Sequence, residues 1–156
     1  VTATASDEEM ARRIDAHRRE RPAHWRVREE PVSLARAVQQ ESGTGDLLLV
    51  DCLTLWTANC LWPPAPAGPS SAAPGEPPHF QPDLPGWLAQ RDAFIETLRR
   101  ASSEIIVVSN EVGTSLVPEN AAARLFRDEQ GRLNQLVAAA CDSVFLVSAG
   151  LSLRLK

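Results

Sequence analysis

Between Arg12 and Arg28 the chain carries seven arginines, at positions 12, 13, 18, 19, 21, 26 and 28, against only Asp15 and Glu20. Guanidinium groups grip phosphate oxygens in bidentate pairs and stay charged at any physiological pH. His17 stands among them and is followed by Arg21-Pro22-Ala23-His24-Trp25. In that setting a neutral imidazole could attack phosphorus while the neighbouring arginines neutralise the phosphate oxygens. The same residues also fit a solvated helix face and loop whose charges pair with Glu8, Glu29 and Glu30. A lone histidine on a half-apolar face is by default a packed residue, and that reading is kept for His24 and His79. His17 and His24 are seven residues apart with no cysteine nearby, which gives zinc ligation little support.

A second group follows two apolar runs. Leu47-Leu48-Leu49-Val50 ends in Asp51, and Ile105-Ile106-Val107-Val108 ends in Ser109-Asn110-Glu111. Ligands of open α/β sheets bind beyond the carboxyl ends of the strands, so both groups stand where a site is expected. An acid at the end of an apolar strand can hold Mg²⁺ beside nucleotide phosphates. Asp51 could equally cap a helix beginning near Leu53. Further hydrogen-bonding residues, Arg124, Arg127, Asp128 and Gly131-Arg132-Leu133-Asn134-Gln135, lie on a long helical pattern from Glu119 to Ala140. Gly131 costs about 1 kcal/mol against alanine in a helix interior, so it marks either a close approach by a chain or ligand, or a helix break.

These groups need a scaffold to hold them. Ser6-Asp7-Glu8-Glu9 has capping-box spacing, and Met10, Ile14 and His17 share one face of a helix running to about Arg19. Helical patterns also cover Val32 to Gln40 and Trp87 to Arg100. The runs at 47–50 and 105–108 read as central parallel strands buried on both faces, with Val144 to Val147 as a third. Leu151 to Leu155 alternates with period two and reads as an edge strand. Strands alternating with helices predict an α/β fold on a parallel sheet. Between Trp62 and Gly86 lie nine of the twelve prolines, and neither flanking half holds enough elements for a domain. A single domain, 1–156, with a proline-rich loop insertion at about 62–86 is therefore expected.

Composition narrows the function. The chain has 156 residues, 44% of them hydrophobic, enough for one core. A net charge of −4 argues against a general nucleic-acid binder or one that binds anionic membranes. No apolar run is long enough to span a bilayer and the N-terminus does not read as a signal peptide, so a cytoplasmic protein without a membrane partner is expected. Cys52, Cys60 and Cys141 have no C-x-x-C spacing and read as buried free thiols. The only lysine is Lys156, which excludes a P-loop lysine within this sequence.

The residues also carry a resemblance. Asp7 to Ile14, His17 with Arg21-Pro22-Ala23-His24-Trp25, and Leu48 to Thr54 resemble the bifunctional adenosylcobinamide kinase / adenosylcobinamide-phosphate guanylyltransferase family of cobalamin biosynthesis. So do Val108-Ser109-Asn110-Glu111-Val112-Gly113, Val117 to Asn120, Phe126 to Asp128, Gly131 to Gln135 and Ala149 to Leu151. The matches cover nearly everything outside the proline-rich segment. The resemblance implies a P-loop NTPase (RecA-like) fold, a mostly parallel sheet with helices on both faces. It implies phosphorylation of adenosylcobinamide by ATP or GTP, then transfer of GMP from GTP to adenosylcobinamide phosphate through a guanylylated histidine, giving adenosylcobinamide-GDP. His17 is the implied nucleophile. Thr4, Ala5, Ser6, Arg18, Arg19, Glu20, Arg21, Glu29 and Asp51 are the implied nucleotide-binding residues, with Asp51 on Mg²⁺. A homotrimer is implied as well.

One departure bears on activity. The family opens with a strand and a Gly-x-x-x-x-Gly-Lys-Ser loop whose backbone and lysine cradle phosphates, and neither occurs in this sequence. An N-terminally truncated member, with kinase activity lost and guanylylation weakened, is the expectation. The competing reading is a catalytically impaired member acting as a non-catalytic binding module. RNA binding through Arg12 to Arg28 is a third reading, opposed by the net charge and by the lack of an aromatic-rich strand.

Overall fold

The structure is a computed structural model, and it describes residues 9, 12, 15, 16, 19, 21, 22, 24–43, 45, 47–63 and 81–156. The element order is α1 (Leu34–Glu41), β1 (Leu48–Val50), α2 (Leu53–Leu61), α3 (Leu84–Arg100), β2 (Ile105–Val107), α4 (Ala121–Ala140), β3 (Phe145–Ser148) and β4 (Leu151–Arg154). Ahead of them Glu9, Arg12, Asp15, Ala16 and Arg19 are helical, in keeping with the helix expected there. Most of the proline-rich segment, with His79, lies outside the described residues.

The core forms around α2, which is apolar enough to be covered on several sides. Leu53, Trp56 and Leu61 are fully buried, together with Trp87 and Phe94 of α3 and Leu133 of α4. The Trp56 ring meets Trp87 and Phe94 edge-on, with centroids 5.3 and 5.2 Å away. Such edge-to-face pairs add about 0.5–1.5 kcal/mol to the burial of the rings. The Trp56 indole N–H still finds an acceptor, the Val32 carbonyl at 2.7 Å, so the ring is buried without an orphaned donor.

Helix α3 begins at Leu84, three residues before the expected Trp87. Pro85 sits in its first turn, where a missing N–H costs nothing, and Asp83 caps the end by accepting from Gly86 N at 3.0 Å. Asp83 N also donates to the Leu61 carbonyl at 2.8 Å, so the intervening segment leaves and returns at one place. Gly131 does not break α4, and among the described residues it marks no tight contact, since an added Cβ would meet none of them within 4 Å.

The strands β1 and β2 pair in parallel, Leu48 with Ile105, Leu49 with Ile106 and Val50 with Val107. Three expectations need correction here. First, the strands are not buried on both faces. Leu48, Val50, Ile105 and Val107 pack on the core, whereas Leu49 and Ile106 stay 42% and 50% exposed. Among the described residues, helices therefore cover one face of this pair and not both. Second, the third apolar run does not extend the parallel pair. β3 folds back on β4 as an antiparallel hairpin, Phe145 opposite Arg154 and Ser148 opposite Leu151, because Ala149 and Gly150 at positive φ turn the chain at once. Third, the thiols are free but unequally buried, with Cys60 buried and Cys52 and Cys141 only partly so. No described helix is long and apolar enough to cross a membrane.

Candidate functional site

The carboxyl end of β1 delivers Asp51, half-buried, into a cavity of about 140 Å³ between β1, α1 and the segment 21–30. Leu34, Ala37, Val38, Leu48 and Val50 make its apolar floor, and Arg21, Trp25, Arg28, Glu30 and Glu41 stand around it. Pockets that enclose a whole small molecule run to about 300–1,000 Å³, so this one suits a single ring of a larger ligand. Trp25 is 47% exposed and gives the cavity an aromatic wall.

The walls are held by short-range electrostatics. Glu30 Oε1 accepts from Val32 N at 3.2 Å and Ser33 N at 2.8 Å, which closes the chain into α1 where Ser33 offers no side-chain cap. Arg28 lies 3.4 Å from Glu41 and 4.0 Å from Glu30. Its charge is shared between two acids, and it acts as a strut across the mouth.

Of the ten residues expected in a site, the structure brings Arg21 and Asp51 together at this cavity. Glu29 is exposed and flanked by two lining residues without lining the cavity itself. Arg19 is exposed, 3.8 Å from Asp15 one helical turn away, and is not among the lining residues. Thr4, Ala5, Ser6, His17, Arg18 and Glu20 lie outside the described residues. Asp51 is not the helix cap that the alternative reading made it. The capping position of α2 is Cys52, with no side-chain cap bond, which leaves the carboxylate free of that duty. His24, expected to be packed, is exposed.

Sequence reasoning missed the aromatic wall and the Arg28–Glu41 strut. The signal for Trp25 was present in Arg21-Pro22-Ala23-His24-Trp25, since an indole beside arginines suits a flat ligand. Glu41 belongs to a different element and had none.

A polar network occupies the adjacent carboxyl end of β2. Thr54, one turn after Asp51, accepts from the Asn110 side-chain amide at 2.8 Å. Ser109 donates to Asn134 Oδ1 at 2.6 Å, and Gln130 Nε2 donates to Ser109 at 2.9 Å and to Asn134 Oδ1 at 3.0 Å. Asn134 Nδ2 donates to the Asn110 carbonyl at 3.1 Å and to Glu111 Oε1 at 3.0 Å. Arg127 donates to the Gly113 carbonyl at 2.9 Å and pins the loop that follows.

The protein is of mixed α/β class, and Arg21 and Asp51 meet at a cavity beyond the carboxyl end of a parallel strand, where open α/β sheets bind their ligands. The profile described as "Cobinamide kinase / cobinamide phosphate guanyltransferase" matches residues 1–155, and the chain belongs to that family. It is 42% identical over 156 residues to the bifunctional adenosylcobalamin biosynthesis protein CobP of Pseudomonas aeruginosa, covering all of this chain and 80% of that protein. It is 36% identical over 160 residues to the bifunctional adenosylcobalamin biosynthesis protein CobU of Salmonella typhimurium, of which it covers 83%. The CobU protein of Escherichia coli is 34% identical over 158 residues, with the same coverage of 83%.

Proposed function

We propose that this chain is a cobalamin-biosynthesis enzyme that transfers GMP from GTP to adenosylcobinamide phosphate, giving adenosylcobinamide-GDP. The observation that carries the reading is the convergence of Arg21 and Asp51, far apart in sequence, on one cavity with an aromatic wall. The guanine ring fits the apolar cavity beside Trp25, and the triphosphate lies toward Arg21; Thr4, Ala5, Ser6, Arg18, Arg19, Glu20 and Glu29 are proposed as further nucleotide-binding residues on the family resemblance alone.

His17 is the proposed nucleophile. Its neutral imidazole attacks the α-phosphorus of GTP, a P–N bond forms, the bond to the bridging oxygen breaks and pyrophosphate leaves. A phosphate oxygen of the second substrate then attacks the same phosphorus, breaks the P–N bond and returns the imidazole. The arginines stabilise the charge that develops on the equatorial oxygens.

Mg²⁺ fits the donor set. Among the described residues no three acid, histidine or cysteine side chains gather into a metal cage. A single half-buried carboxylate, Asp51, suits a hard cation that keeps its waters and takes its other ligands from nucleotide phosphates. Bound there, the ion would neutralise phosphate charge.

The kinase step, with ATP or GTP as donor, calls for a lysine-bearing phosphate loop, and the one lysine in these 156 residues is Lys156. The reading takes the fold as P-loop type, one α/β domain interrupted by the proline-rich loop, assembled as a cytoplasmic homotrimer. The closed ends of that loop, Leu61 and Asp83, support the single domain.

The test incubates the chain with Mg²⁺ and α-labelled GTP and looks for a covalent adduct that is labile in acid and stable in base. An adduct that disappears in His17→Ala supports the proposal. No adduct from the wild type removes the catalytic reading in favour of a non-catalytic binding module.

A further inference from the structure

Helix α4 ends without the usual devices. Its last turn carries no basic residue, whereas α3 closes on Arg99 and Arg100. Cys141, which follows the helix, is extended, so no left-handed cap turns back on the final carbonyls. Asp142 comes next, and a negative charge there opposes the helix dipole. Twenty residues of aligned peptides therefore arrive at carbonyls that lack N–H partners within the helix.

Lys156 supplies what the helix lacks. Its ammonium group donates to the carbonyls of Ala138 at 3.2 Å, Ala139 at 3.3 Å and Cys141 at 2.5 Å. It is the only lysine of the chain, every other permanently cationic side chain being arginine. Three N–H groups on one nitrogen suit carbonyls that converge on a point, which a planar guanidinium does not. The backbone puts the ammonium group within reach, since Leu155 N donates to the Val144 carbonyl at 2.8 Å and carries the β3–β4 ladder on toward the chain that leaves α4. The hairpin has little else to hold it. All eight residues of β3 and β4 are exposed, and among the described residues none from Val144 to Lys156 joins the apolar core or the half-buried layer against it. Arg154 reaches Ser143 at 3.4 Å, but that bond stays at the base of the hairpin itself. A two-stranded hairpin standing alone is marginal in water.

We propose that Lys156 is a latch: its ammonium group, seated on the carboxyl end of α4, holds the β3–β4 hairpin in place, and withdrawing it frees the hairpin to move as an arm. The latch couples two features that each need the other. The helix end gains the cation that its own sequence omits, and the hairpin gains the anchor that its exposed side chains do not give. It is independent of the reaction proposed above.

Hydrogen exchange of the full chain, read by mass spectrometry in Lys156→Met, tests this. Methionine keeps an unbranched apolar stem and loses the charge and the donors. Amides of residues 144–156 should exchange on the order of tenfold faster, while those of α2 and α3 keep their wild-type rates. Lys156→Arg, which restores the charge without the three-way fit, should recover part of the protection. Unchanged exchange in the hairpin of Lys156→Met overturns the latch. An equal rise in the hairpin and in α2 and α3 overturns it as well, since Lys156 would then serve global stability and not the hairpin. An arginine variant as unprotected as the methionine variant also overturns it, because a latch seated on the negative end of a helix must respond to a cation returned there.

Discussion

The indole N–H of Trp87 donates to Glu129 Oε2 at 2.8 Å across the α3–α4 interface, with both residues buried. Arg132 pairs with the other carboxylate oxygen and Arg91 lies 3.8 Å from the first, so the buried acid is neutralised from two sides. The relationship matters for the site because Gln130 is the next residue on α4. Glu129 fixes the rotation of the helix that points Gln130 and Asn134 at the end of β2.

Glu129→Ala should therefore destabilise the fold by about 3 kcal/mol. It strands the buried Trp87 indole donor and takes from Arg132 its acid, while Arg91 keeps Asp92 at 2.7 Å. Urea unfolding followed by tryptophan fluorescence measures this, and a loss below about 1 kcal/mol would show that the helix is held elsewhere.

Gly131 gives a prediction of the opposite sign. It lies inside an unbroken helix and an added Cβ meets no described residue within 4 Å, so Gly131→Ala should stabilise by about 0.5–1 kcal/mol. Thermal unfolding reads the shift. A destabilised variant would mean that a second chain or a ligand approaches this helix closely.

Asp51→Asn keeps the shape of the cavity wall and removes its charge. Binding of GTP in the presence of Mg²⁺ should weaken on the order of tenfold, while binding with EDTA present should change little. Calorimetry with and without the metal separates the two, and equal losses in both would place Asp51 on the nucleotide itself.

Trp25 offers a direct report on the cavity. It is half exposed, whereas Trp56 and Trp87 are fully buried and Trp62 is partly buried against the core, so acrylamide quenching of the free protein should come mainly from Trp25. Saturation with GTP should suppress that component, and Trp25→Phe should abolish the difference. Quenching that is indifferent to GTP would move the base to another place.

Burial pushes the Cys60 thiol up to about 12 from an ordinary 9.0, reinforced by the charges of Asp83 and Glu30. Burial raises Cys141 as well, against the pull of Lys156. Where the unfolded thiol has ionised and the folded one has not, the folded state binds more protons and stability falls as pH rises. For Cys60 that window runs from about 9 to about 12. Unfolding midpoints measured across that range should drop, and Cys60→Ala should drop less steeply. Iodoacetamide at pH 8 should leave Cys60 unmodified until the chain is denatured.

Local pattern alone was enough for part of this architecture. Uninterrupted apolar runs marked β1 and β2 and put Asp51 and Ser109-Asn110-Glu111 at their carboxyl ends, because a side-chain period of two and a helical period of 3.6 are written in the chain itself. Ordered motifs carried the family, and arginines around a histidine carried the chemistry proposed for it. Partners distant in sequence were not legible. Nothing near Arg28 names Glu41, nothing near Asn110 names Thr54, and β3 read as another parallel strand until its pairing with β4 was seen. Which faces of β1 and β2 are covered, whether Asp51 caps a helix, and which way a saturated Asn134 turns its neighbours are settled only when the elements pack. A hydrogen bond or an apolar contact depends on distance in space, and chain order constrains that distance only over a turn or two.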